Sequence, residues 1–383
     1  MNSSSSPMMH HALFGVWLFC ASILPAAAET GVTDKTVVIG QNITLQGGKN
    51  DYGVAAQQGA KLYIDQVNAA GGVHGRKLVL RTLDDDNKAG NAQANARTLV
   101  NDGAFLLFGS IEGGPSMEIV KVAHDAGVPF FGPMAGSPGL RRPYEPMVFP
   151  VRAEHREEFR ALMAWGKNVG LKTVGFFHAD SDTGREHLQN VNLLAKELGM
   201  QVVMPMPFKS DLSDAQIDTM VQALAQSKPD LVFNHGSVGL YGKLISKAKL
   251  AGLKTNFMAV NSGSSQLAKS LGPLGGGMLF SQVVPSPWER KRELTREYQD
   301  AARRADANAE FTYGGMEGFM TAKALVLALR AAGRDLSRAG FVRALEGAQF
   351  DLGGVHARYR SGDHEGSRFV DLSMVARDGR FLH

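Results

Sequence analysis

The feature that most constrains this chain is a rhythm. From Lys35 onward, short apolar runs rich in β-formers alternate with amphipathic stretches of helical period, and the whole series occurs twice. In the first series "TVVIGQ" (36–41), "KLVLRTL" (77–83), "AFLLFG" (104–109) and "VPFFGP" read as strands. Between them 59–70, "GNAQANARTLV" and "EIVKVAHDAG" read as helices. In the first helix Ala60, Tyr63, Ile64 and Val67 share a face, and "GG" at 71–72 is a stop signal. The second series runs "TVGFFH" (173–178), a helix at 186–198, "QVVMPM", a helix from Asp214 to Ser227, "DLVFNH" (230–235), a helix near 240–251 and "NFMAV" (256–260). Regular strand–helix alternation implies parallel sheets covered on both faces by helices. Two series of four or five strands in 383 residues suggest two doubly wound units rather than one sheet. The break falls at 141–158, where Pro and charge concentrate. After Phe280 the pattern changes to long helices, "PWERKRELTREYQDAARRA" and "TYGGMEGFMTAKALVLALRAAG". The tail "GSRFVDLSMVARDGRF" is strand-like around a turn.

The first 28 residues stand apart. "ALFGVWLFCASILP" has the length of a secretory h-region, and "AAA" at 26–28 supplies the small-residue pattern before Glu29, so residues 1–28 read as a cleaved signal peptide. Cleavage there removes Cys20, the one cysteine, and with it disulfides, thiol nucleophiles and cysteine–metal sites. The net charge of +4 is spread along the chain with no run of five or more like charges, which argues against a nucleic-acid partner.

Catalytic and metal-binding patterns are absent by spacing. HExxH and GxSxG do not occur, and His155, His178, His187, His235, His356 and His364 stand isolated, as surface or core histidines usually do. No metal, cofactor or catalytic residue is expected. "DDDNKAGN" (84–91) fails the calcium-loop test, since its sixth and twelfth positions are Ala89 and Asn95. It reads instead as the end of a strand and an acidic cap on a helix beginning near Ala89. "FGSIEGGPS" (108–116) is neither a P-loop nor a dinucleotide fingerprint. Pro115 suits a first helical turn and Gly113 and Gly114 permit close backbone approach, so the helix start there can offer N–H donors to a carboxylate or carbonyl. Ligands of open parallel sheets bind outside the carboxyl ends of the strands. The loops at those ends, 44–53, 109–116, 132–138, 178–184, 234–238 and 261–264, are all rich in Gly, Ser, Asn or Asp.

The block "VVIGQNITLQGGKNDYGVAAQQGAKLYIDQVNAAGGVHGRKLVLRTLDDD", with "LLFGS", "AGVPFFGP", "KPDLVFN" and "KLAGLKTNFM" further on, resembles the periplasmic solute-binding proteins of ABC importers, in the Leu/Ile/Val-binding branch with the type I fold. The resemblance covers essentially the whole chain after residue 28. It implies an α/β fold of two lobes joined by three hinge crossovers, with 29–151 and 285–352 in lobe 1 and 152–284 and 353–383 in lobe 2. It also implies closure on a small-molecule ligand, delivery to an inner-membrane ABC permease, a periplasmic location and a monomer without catalysis. The implied ligand contacts are Tyr52, Gly113, Gly114, Ser116, Met134, Ala135, Gly136, Thr183, Ser237 and Asn261. At several of these the chain departs from the family. Hydroxyl-bearing positions fall at Gly113 or Gly114 and at Gly136, the acidic residue that pairs with an α-ammonium is Asn261, and the second-lobe aromatic is Thr183. Each missing side-chain hydrogen bond is worth about 0.5–1.5 kcal/mol, and a neutral amide gives up the charge-assisted bond an ammonium prefers. The expected ligand is therefore a small polar or aromatic carboxylate, or an amide, in preference to a branched-chain amino acid. Glu112 is expected to be a solvated turn residue, although it offers a replacement anion. A ligand sensor for a signalling receptor and a secreted enzyme are the competing classes.

Overall fold

The computed structural model describes Met1 and residues 29–382, so the expected leader otherwise lies outside the described residues. The first series forms β1 (Thr36–Ile43), α1 (Asp51–Ala69), β2 (Lys77–Asp84), α2 (Ala89–Asn101), β3 (Leu106–Phe108), α3 (Gly113–Ala126), β4 (Phe130–Phe131) and β5 (Val148–Phe149). The second forms α4 (His155–Asn168), β6 (Thr173–Ala179), α5 (Asp182–Leu198), β7 (Gln201–Phe208), α6 (Asp214–Ser227), β8 (Leu231–His235), α7 (Val238–Leu250), β9 (Asn256–Ala259), α8 (Ser264–Leu271) and β10 (Leu279–Gln282). Helices α9 (Glu293–Ala305), α10 (Tyr313–Ala332) and α11 (Arg338–Glu346) follow. The chain ends in β11 (Gln349–Asp351), β12 (His356–Arg360), β13 (Asp363–Gly366), β14 (Asp371–Val375) and β15 (Phe381–Leu382).

Two doubly wound sheets result. The first runs β2-β1-β3-β4-β5 with every neighbour parallel. In the second, β15-β14-β10-β9-β8-β6-β7, only β14 and β15 are antiparallel additions at one edge. Strand order reverses between β1 and β3 and again between β6 and β8. Loops leaving those strands diverge to opposite faces and open a crevice, which is where such sheets bind ligands.

The chain passes between the lobes three times, at 150–154, 283–292 and 367–370. The third crossing comes later than residue 353, because Val355, Ala357 and Tyr359 pack into the first lobe's core with Phe131 and Phe149. Helix α10 is buried on nearly all sides and lies so close to α1 that a Cβ on Gly59 would stand 1.9 Å from the Gly315 carbonyl oxygen, and one on Gly318 1.9 Å from that of Ala56. Only glycine allows that approach, and it places Tyr52 of α1 against Glu317 of α10.

Helix α2 does begin at Ala89, but the acidic cluster does not cap it. Its N-cap is Lys88, without a side-chain bond. Asp84 instead accepts from the N–H groups of Leu45, Gln46 and Gly47, and Asp85 accepts from the Thr44 hydroxyl. The cluster therefore shapes the loop after β1.

Candidate ligand site

A cavity of about 340 Å3 lies between the lobes at both switch points. From the first lobe, Gln46, Asn50 and Tyr52 come from the β1–α1 connection and Ile111 and Glu112 from the β3–α3 loop, with Asn87 beside them. Asn234, Gly236, Ser237, Val238 and Gly239 reach it from the end of β8 in the second lobe, and Ser262, Gly263 and Gln266 from the loop after β9. A larger concavity of about 770 Å3 sits on the outer side of lobe 2 around Trp288 and Phe381. It draws on no residue of the β1 or β3 loops, so a molecule there could not touch both lips of the crevice. Closure needs contacts to both lobes, which makes the smaller cavity the candidate.

Its lining is polar and nearly uncharged, with Glu112 the one ionisable carboxylate and no Lys or Arg. Burial, with Asp85 nearby, pushes the Glu112 carboxyl up to about 7. The residue expected to be a solvated turn is therefore a half-buried part of the wall that carries a proton over part of the neutral range.

Beside the cavity a polar network ties the lobes together. Asn261, just past β9, donates its Nδ2 to the Tyr52 hydroxyl at 2.9 Å and to Glu317 Oε2 at 3.2 Å, and Tyr52 itself donates to Glu317. Arg152, on the first crossover and fully buried, pairs with Glu158 and stands 3.8 Å from Glu317. Glu158 also accepts from the Asn261 backbone N–H and the Ser281 hydroxyl, each at 2.9 Å. Burial opposes the charge on Glu158, yet Arg152 and His155 pull its carboxyl down to about 2. For Glu317 burial wins, and its pKa is raised despite Arg152. Glu317 Oε1 and Asn261 Oδ1 are buried without a hydrogen bond, Oε1 having only the 3.8 Å approach of Arg152.

Of the residues the resemblance assigns to the ligand, Tyr52 and Ser237 line the cavity, and Asn261 adjoins it through Tyr52. Gly113 and Gly114 open α3 directly after Glu112. The remaining groups are engaged elsewhere. The Ser116 hydroxyl meets Ser110 and the Glu112 carbonyl at 2.6 Å. Met134 gives its N–H to the Ser110 carbonyl, and Ala135 belongs to the first lobe's core. Gly136 is occupied by protein, since a Cβ there would stand 2.7 Å from the His155 ring. Thr183 lies half-buried in the first turn of α5, outside the cavity wall. Glu317 and Arg152 had no loop signal to reveal them, because one sits mid-helix and the other on a crossover. Gln46, Asn50 and Asn234 did lie in loops marked by their strand ends.

The histidines are not all isolated. His155, His187 and His235 bring ring nitrogens within 4.8 Å of one another. They come from α4, α5 and the end of β8, so no local spacing announces them.

A family model described as periplasmic binding protein matches residues 20–380, and the chain belongs to that family. Among curated relatives, the "Leucine-, isoleucine-, valine-, threonine-, and alanine-binding protein" of Pseudomonas aeruginosa is 25% identical over 276 residues, 71% of this chain and 73% of that one. Among solved structures, a possible leucine/isoleucine/valine-binding protein from Rhodopirellula baltica SH 1 superposes with TM-score 0.82 at 24% identity, covering 94% of this chain and 98% of that one. A solute-binding protein of an ABC transporter from R. palustris in complex with benzoate superposes with TM-score 0.76 at 19% identity over 91% and 95% of the two chains. These likenesses establish the type I periplasmic binding fold. Among the described residues no helix is long and apolar enough to cross a membrane.

Proposed function

We propose that this protein is the periplasmic substrate-binding component of an ABC importer, a monomer without catalytic activity that captures a small polar or aromatic carboxylate, or an amide, and presents it to a membrane permease. The observation that carries the ligand class is the cavity wall, in which amides and hydroxyls from Gln46, Asn50, Asn87, Asn234, Ser237 and Gln266 surround a single carboxylate with a raised pKa. Such a wall hydrogen-bonds a neutral polar molecule, and with Glu112 protonated it accepts a carboxylate. The fold does not choose between ligands, since the Pseudomonas relative is named for amino acids and the R. palustris neighbour holds benzoate.

A second reading rests on Glu317. Its buried Oε1 accepts no hydrogen bond and meets Arg152 only at 3.8 Å, and an α-ammonium brought beside it would donate one and supply the ion pair that Asn261 does not offer. Melting the protein, stripped of solute by unfolding and refolding, against amino acids, aromatic acids, dicarboxylates and amides separates the two readings. A ligand at a hundredfold excess over its Kd stabilises the folded state by about 2.7 kcal/mol. Stabilisation by amine-free acids or amides supports the proposal, and stabilisation confined to branched-chain amino acids would replace it with the second reading.

A further inference from the structure

The three clustered histidines form a constellation that ligand capture does not use. His155 opens α4, His187 lies in α5 and His235 ends β8, all at the carboxyl edge of the second sheet. Ring centroids are 3.9 Å apart for His187 and His235, 4.9 Å for His155 and His235 and 5.3 Å for His155 and His187. His187 is fully buried and His155 nearly so. Neither nitrogen of His187 has a partner, nor does Nδ1 of His235. Leaving buried ring nitrogens unpaired costs free energy, and one cation bound between these two rings and His155 would pair them together.

The surroundings suit one. His155 Nδ1 lies 2.7 Å from Glu158 Oε2, which leaves its Nε2 for the cluster. A carboxylate that fixes one imidazole nitrogen while the other meets a metal is a recurrent support for metal-bound histidine, and here Arg152, Ser281 and the Asn261 N–H hold that carboxylate. Phe159 and Phe176 close the apolar side, with Phe159 5.4 Å from His187 and 6.1 Å from His155 between centroids. His178, at the end of β6, directs Nδ1 to the Ala179 carbonyl and so turns away from the cluster. Gly136 belongs to the arrangement too, because any side chain there would displace the His155 ring.

We propose that His155, His187 and His235 bind one divalent first-row transition-metal ion through their imidazole nitrogens, in a three-histidine site of the kind that suits Zn2+. The all-nitrogen donor set disfavours Ca2+ and Mg2+, which take oxygen ligands. Zn–N bonds of about 2.0–2.1 Å set tetrahedral ligand nitrogens roughly 3.4 Å apart, so the rings draw together by an ångström or so on binding. Three protein ligands leave a fourth position open. The neighbours of His235 in sequence, Asn234 and Gly236, both line the interlobe cavity.

The test needs no organic ligand, so it stands or falls separately from the proposed function. The purified protein is treated with EDTA, given Zn2+ or Co2+, passed through a desalting column, and assayed for metal content, melting temperature and, with Co2+, the visible spectrum of a tetrahedral nitrogen site. One equivalent per chain, a metal-dependent rise in melting temperature, and at least tenfold weaker binding in both His187→Leu and His235→Gln are expected. Circular dichroism checks that each variant folds. Should the buried His187 variant fail to fold, the less deeply buried His235 variant decides alone. Retention well below one equivalent, or equal retention by folded His235→Gln, overturns the proposal and assigns any bound metal to other histidines.

Discussion

Asn261 donates three bonds at once, to Tyr52 and Glu317 with its side chain and to Glu158 with its backbone. Asn261→Asp keeps the shape but sets a second carboxylate beside Glu317, replacing the donated bond to Glu317 with repulsion and setting the two carboxylates in competition for the Tyr52 hydroxyl. The expected outcome by calorimetry is a loss of tenfold or more in affinity for amine-free ligands, about 1.4 kcal/mol, together with a gain for α-amino acids. Unchanged affinities would show that the Asn261 side chain has no part in ligand choice. Glu112 permits a second test at this scale. Its folded-state pKa of about 7 lies above the ordinary 4.5, so the folded state holds a proton that the unfolded state releases first. Stability is therefore fully present below about pH 4.5 and is lost as pH rises toward 7. Allowing for partial exposure, the loss is of order 1–2 kcal/mol. Glu112→Gln should melt with a flatter pH profile across that window than the parent protein, and equal slopes would place the Glu112 titration elsewhere.

At the scale of elements, the glycine contacts between α1 and α10 carry the site, because they bring Tyr52 and Glu317 together. Gly318→Ala drives a methyl into the Ala56 carbonyl, and overpacking of this kind costs typically 1–3 kcal/mol. Melting should shift by about 2–4 °C per kcal/mol for a unit of this size, with ligand affinity falling as well. A variant as stable as the parent would mean that the helices slide apart freely. The same contact explains what the sequence concealed. Apolar periodicity marks α1 only from residue 59, whereas the helix starts at Asp51, capped by Asn50 on the Gly53 N–H, with Gly53 tight against the Thr44 carbonyl. Those first two turns are specified by a cap and a backbone approach, neither of which has a period. Strand–helix alternation, by contrast, is a direct consequence of burying parallel strands under helices, and it exposed both sheets and their order of elements. The loops at the strand ends followed from that topology. The inter-lobe partners did not, since Glu317 is one of a few polar residues in a mostly apolar helix and the three histidines are separated by tens of residues; only the fold makes them neighbours.

For the whole molecule the question is how firmly the lobes hold together before a ligand arrives. Tyr52 and Glu317 belong to the first lobe and Asn261 to the second, so the Asn261 bonds at 2.9 and 3.2 Å cross the cleft, as does the 3.0 Å bond from the His155 N–H to the Gly136 carbonyl. These contacts favour the closed arrangement with protein groups alone, and ligand binding adds to them instead of creating closure from nothing. Asn261→Ala removes both side-chain bonds across the cleft and leaves Tyr52 and Glu317 paired within their own lobe. Two net hydrogen bonds are worth about 1–3 kcal/mol, enough to shift the closed-to-open ratio by roughly 5- to 150-fold. Small-angle scattering of the unliganded variant should give a larger radius of gyration than the parent. Ligand in excess should return it to the parent's closed value, at an affinity lowered by the same free energy that closure now requires. A variant with the parent's radius and the parent's affinity would show that the network stabilises each lobe separately and that closure is set at the three crossovers instead.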